Sequence, residues 1–331
     1  MWHRLKPALA LFLLAPLIAE YLLGSLSFRQ LALFPIMALM YGAGALFVRE
    51  VTRRTGRGWP TIILLGLAYG VIEEGIATQS LFNPHYLGLH LLDYGFIPSL
   101  GIGAPWTVYV VVLHVAWSIA VPIAFVEALF ADRRTAPWLQ KTGFAVSGIV
   151  YGLGVALVNF GSKQKEKFNA SGTQLAVTAL IAALLVVAAF VFFRARTDKQ
   201  IRPEAARWRP LSLGLLAFVT GSVFHLITQL GGSHLAPWVA VTIALAIPAG
   251  VIAVVGPAAK SAAWTDAHTD ALMLGGLAAY GWLGFFLTVR LHGADSLPGQ
   301  FFPFAIIAAL VFWRFGRRAK KRTRRLGRVR E

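Results

Sequence analysis

Ile62-Ile63-Leu64-Leu65-Gly66-Leu67-Ala68-Tyr69-Gly70-Val71-Ile72-Glu73-Glu74-Gly75-Ile76-Ala77-Thr78 decides the fold class of this chain. The run is apolar for most of its length and, with the residues just before it, long enough to cross a bilayer as a helix. Two adjacent carboxylates then appear inside it. Ionisable groups at membrane depth are costly, so they face a protein interior or a water-filled cavity. A chain that keeps such a pair handles a proton, an ion, a metal or a substrate there.

The rest of the sequence agrees with a membrane setting. Of 331 residues, 57% are hydrophobic and only 14% charged, against roughly a quarter charged in soluble domains. Mean hydropathy is +0.66. The expected fold is all-α: a polytopic transmembrane helical bundle of about ten spans. The apolar segments fall at 7–25, 31–48, 61–79, 105–130, 143–160, 172–193, 210–228, 237–255, 271–289 and 300–316. The second and last are short and read as less tilted or partly re-entrant. Residues 1–316 form a single transmembrane domain and 317–331 a basic cytoplasmic tail. Cysteine is absent, which excludes disulfides and thiolate metal sites.

The net charge of +17 is explained by its placement. With the N-terminus inside, 26 of the 31 Lys and Arg fall in inner regions and 5 in outer ones. That bias predicts both termini in the cytoplasm of a cell membrane. The basic tail from Arg314 to Arg330 then serves as an anchor on anionic lipid, so membrane lipids are expected partners and nucleic acid is not. The apparent signal sequence at the start is interrupted by Glu20 and reads as a retained span.

Helical rise places the polar residues in depth. Measured from the inner face, Glu73 lies about 18 Å in, His114 about 16 Å, His225 about 22 Å and Glu20 about 20 Å. Four spans thus bring ionisable groups to one layer. Adjacent residues on an α-helix point about 100° apart, so one of Glu73 and Glu74 is expected to face a cleft while the other packs against a neighbouring helix or a His. Glu50, Glu127 and Asp132 lie near inner span ends, where snorkelling explains them. The Leu81–Pro105 connection is rich in Gly, Pro and aromatics, and reads as a packed cap or re-entrant segment.

Three function classes remain open. In a hydrolase, one Glu acts as general base on water while the His residues orient it. In a secondary transporter, the carboxylates and imidazoles relay a proton or cation. In a scaffold, the polar layer only joins helices. Carboxylate and imidazole suit zinc or manganese, but no metal-ligand spacing is present, so no metal and no cofactor are expected.

Ala68-Tyr-Gly-Val-Ile-Glu73-Glu74-Gly75 resembles the first motif of the CAAX-protease and bacteriocin-processing (CPBP) family of intramembrane glutamic proteases. The resemblance implies that Glu73 is the catalytic base and Glu74 its partner. His114, or His225 with Gln229, would stand for the family's His-bearing motifs. The family's Arg after Glu-Glu is replaced by the Thr78-Gln79 neighbourhood. Its Phe before each His motif is replaced by Val110 and Gly221. Glu20, Gln229, Asn83 and His85 are candidates for contacts with a membrane-embedded peptide or small-molecule substrate.

Overall fold

In a computed structural model, residues 2–193 and 208–328 are described; the side chains of 2–4, 229–233 and 317–328 are outside that description. Gln229 therefore lies outside the described side chains, as does most of the basic tail.

Ten helices among the described residues are long and apolar enough to cross a membrane: α1 (Leu5–Leu22), α2 (Phe28–Arg54), α3 (Trp59–Ala77), α4 (Ala104–Leu129), α5 (Lys141–Glu166), α6 (Gly172–Val191), α7 (Pro210–Thr228), α8 (Pro237–Ala258), α9 (Asp266–His292) and α10 (Ala294–Gly316). The chain is a multi-pass helical membrane protein, as composition requires. The last helix continues through Arg328.

The bundle has a core and a rim. In α1, α3, α4 and α9, 61% or more of the apolar window is buried, against 11% in α5 and α8. Rim helices present large apolar side chains outward, including Ile149, Leu211, Phe192 and Phe312. Such surface is stable against lipid. α4 is central and packs on α1, α2, α3, α7, α8 and α9. Gly70 permits one close approach: a Cβ there would lie 3.2 Å from the His114 Cβ and 3.2 Å from the Val111 carbonyl oxygen. Small residues at such crossings let backbones meet.

The second span corrects the sequence reading. It is 27 residues long, because its helix continues through Arg49, Glu50, Arg53 and Arg54. Those charges are retained inside packed structure by one another. Arg49 contacts Glu50 at 2.7 Å and Glu127 at 3.1 Å, and Arg53 contacts Glu127 at 2.7 Å. Arg49 and Glu50 are completely buried. Glu50 also accepts the backbone N–H groups of Trp138 (2.8 Å) and Leu139 (3.1 Å), and the Arg49 guanidinium lies 3.4 Å from the centre of the Trp138 ring. Glu50 and Glu127 therefore do not snorkel; the backbone groups on Glu50 and both arginines on Glu127 come from other segments, which a local reading cannot show. Asp132 is exposed, as snorkelling requires.

At the opposite face, the segment between α3 and α4 forms a compact cap. It holds a short antiparallel hairpin, β1 (Phe96–Ile97) with β2 (Ile102–Gly103). The Tyr94 hydroxyl donates to the Leu235 carbonyl at 2.8 Å, tying the cap to the α7–α8 connection. Leu92 is buried, while Leu87, Leu89, Phe96 and Leu100 are exposed.

Candidate functional site

Four of the core spans break from α-helical to π-helical hydrogen bonding at their polar residues. The π segments are Leu17–Leu22 in α1, Ala38–Gly42 in α2, Glu73–Ala77 in α3 and His114–Ala120 in α4. Single π turns recur at functional sites. The widened turn in α3 displaces its backbone bonding, and neighbours take up the freed carbonyls. Asn159 donates to the Ile76 carbonyl at 2.6 Å and Ser162 to the Thr78 carbonyl at 2.8 Å, both from α5.

The consequence is that Glu73 and Glu74 converge rather than diverge. His114 Nε2 lies 2.7 Å from Glu74 Oε1 and in direct contact with Glu73 Oε2. An i→i+5 turn holds more residues than an α turn, so consecutive side chains are closer in azimuth. Each group has further support. The Tyr41 hydroxyl donates to Glu73 Oε1 at 2.8 Å. Glu74 Oε2 accepts from Thr78 at 3.1 Å and from the Ser80 hydroxyl, which itself accepts from the Trp106 indole N–H at 3.2 Å. His114 Nδ1 is 2.8 Å from Ser118 Oγ. Glu73, Glu74 and His114 are all buried.

Proton counting exposes a deficit. One Nε2–H faces two carboxylates and can make one good hydrogen bond, the one to Glu74. Glu73 Oε2 has no donor but the His114 N–H it shares with Glu74, and the Tyr69 and Tyr151 hydroxyls have no hydrogen-bond partner among the described residues. The Tyr69 ring stands edge-on to His114 with centroids 6.0 Å apart, and it stacks on Tyr151 at 5.7 Å. Buried polar groups are nearly always satisfied, so the two hydroxyls and the shared imidazole proton leave this cluster short of partners. One oxygen each from Glu73 and Glu74 and one His114 ring nitrogen lie within 4.8 Å of one another, a donor set able to hold a metal ion. Sequence spacing gave no sign of it.

The remaining candidates separate. Glu20 adjoins the cluster through the Tyr41 hydroxyl, and accepts a 2.5 Å hydrogen bond from Ser25. His225 is buried but lies elsewhere: its ring sits among Trp117 (4.5 Å), Phe224 (5.5 Å), Tyr280 (5.6 Å) and Tyr109 (5.8 Å). Its Nδ1 is 3.3 Å from the Tyr109 hydroxyl. Asn83 is buried in the cap, where its Oδ1 accepts the His85 N–H at 3.0 Å and shapes a turn. His85 is exposed, its ring 5.2 Å from that of His90. The cap's Tyr86 does reach the cluster's field. Burial first, then the charges of Glu74 and Glu73, raise its phenol well above the ordinary value. Tyr41, Ser80 and Tyr69 were not singled out by sequence reasoning, because neutral hydroxyls in apolar runs carry no charge signal.

A family model matches residues 9–313. The chain belongs to an uncharacterized membrane protein family. No curated protein and no solved structure matches it. Membership covers all but the ends of the chain, so the candidate cluster and the bundle that holds it both lie within the family's extent.

Proposed function

We propose that this chain is an intramembrane hydrolase resembling the CPBP glutamic proteases, with Glu73 as general base. The observation that carries the reading is the convergence of both carboxylates on one imidazole nitrogen, which has one proton for the two of them. His114 Nε2–H is shared between two carboxylates and satisfies only one of them at a time, so Glu73 Oε2 takes a proton from water when the imidazole N–H turns to Glu74. That water oxygen then adds to the carbonyl carbon of a membrane-embedded peptide, and the proton passes on to the departing amine. The Tyr69 and Tyr151 hydroxyls are free to donate to the oxyanion that develops. Ser118 on Nδ1 and Tyr41 on Oε1 hold the imidazole and the carboxylate in place.

The test is cleavage of a quenched-fluorescent library of apolar peptides by the full chain in liposomes. Cleavage by the unmodified chain, lost in Glu73→Gln with insertion retained, supports the reading. Equal cleavage by both proteins overturns it.

A second reading has its own observation. Tyr41, Glu73, His114, Glu74 and Ser80 form a continuous run of polar contacts across three spans and the start of the cap. Such a run suits a proton or cation relay in a transporter. A pH-sensitive dye trapped in the same liposomes distinguishes the two, since only a relay moves protons with no peptide present. In either case the charge bias of the loops orients both termini toward the cytoplasm.

A further inference from the structure

We infer that Glu73, Glu74 and His114 form a binding site for one divalent cation of borderline softness, zinc or manganese. The inference rests on the same site as the hydrolase reading and adds a cofactor to it. Three donor atoms from two spans already lie within 4.8 Å of one another. Two carboxylates and an imidazole leave an open position, the pattern of catalytic rather than structural zinc sites. The charge balance also favours it. Two buried carboxylates share one imidazole proton, and Arg and Lys do not contact either of them among the described residues. A doubly charged ion neutralises both.

Two further observations point to a ligand. The Tyr69 hydroxyl is buried and unpartnered among the described residues, on a ring 6.0 Å from that of His114, and Glu73 Oε2 shares the single His114 N–H with Glu74. The outer contacts are also those a metal ligand needs. With Nε2 on the ion, the proton moves to Nδ1, which then donates to Ser118 Oγ at the distance seen, 2.8 Å. Metal-ligating imidazoles almost always have such a partner on the other nitrogen, and ligating carboxylates are in turn hydrogen-bonded. Tyr41 on Glu73, and Thr78 and Ser80 on Glu74, meet that condition. A bound ion would supply acidity to a coordinated water.

The experiment is calorimetric titration of Zn²⁺ and Mn²⁺ into the detergent-purified full chain after chelator treatment, with Co²⁺ absorption as an independent readout. One ion per chain is expected. Affinity should fall by ~10-fold or more in Glu74→Gln and in His114→Gln and stay unchanged in His90→Gln, on the exposed cap. Absence of binding to the unmodified chain overturns the inference, whatever the variants do. So does binding that both cluster variants leave intact. Metal binding without peptide cleavage would leave this inference standing and remove the hydrolase. Cleavage by a protein that binds neither ion would do the reverse.

Discussion

Two buried charged clusters lie at different levels of the same bundle, and they are built on opposite principles. In the Arg49–Glu50–Arg53–Glu127 cluster, cations and anions alternate and backbone groups of the 133–139 segment fill remaining bonds. In the Glu73–Glu74–His114 cluster, two acids compete for one imidazole and hydroxyls are left unpartnered. The first has the form of a clamp, its opposite charges matched within the fold. The second has more acceptors than donors among the described residues, which is what the proposed site rests on.

The sharpest way to break this comparison is Arg49→Met. Removing one partner from a buried network leaves charges uncompensated, at a cost of about 3–5 kcal/mol. A large fall in the thermal midpoint in detergent is expected. A midpoint near that of the unmodified chain would mean the clamp is not a clamp.

A smaller effect is expected where α3 crosses α4. Gly70→Ala places a methyl group 3.2 Å from the His114 Cβ and the Val111 carbonyl, so one helix must give way. Overpacking of this kind costs about 1–3 kcal/mol, and it shifts His114 relative to the carboxylates. Stability and activity should therefore fall together. Loss of neither would show that the crossing is slack.

The smallest effect belongs to Tyr69→Phe. The hydroxyl it removes has no partner among the described residues, so unfolding should be unchanged within about 0.5 kcal/mol or slightly improved. Cleavage, if the hydroxyl meets an oxyanion, should fall. A stability loss comparable to that of Gly70→Ala would show that this oxygen is bonded within the fold.

The spans were legible because hydropathy and length suffice for them, and depth counting brought Glu73, Glu74 and His114 to one layer. Depth gives height and not azimuth. That is why His225, at a similar height, turns out to sit in an aromatic surround of α4, α7 and α9 side chains. The 100° rule misjudged Glu73 and Glu74 because it assumes an α-helix, and a π turn begins at Glu73. Tyr41 left no trace because a neutral tyrosine in an apolar span looks like packing. Glu50 and Glu127 were misread as snorkelling because the Trp138 and Leu139 backbone on Glu50, and the arginines on Glu127, come from distant sequence.

The central claim is that the Glu73–Glu74–His114 cluster serves a task and not the fold. Comparing the thermal unfolding of Glu73→Gln with that of the unmodified chain tests it most directly. Gln keeps the shape and an acceptor for Tyr41 while ending the apposition of two acids. The account predicts a midpoint that is unchanged or raised, as at sites where function is held at the expense of stability. A fall as large as that of Arg49→Met would contradict it and make the cluster a second clamp.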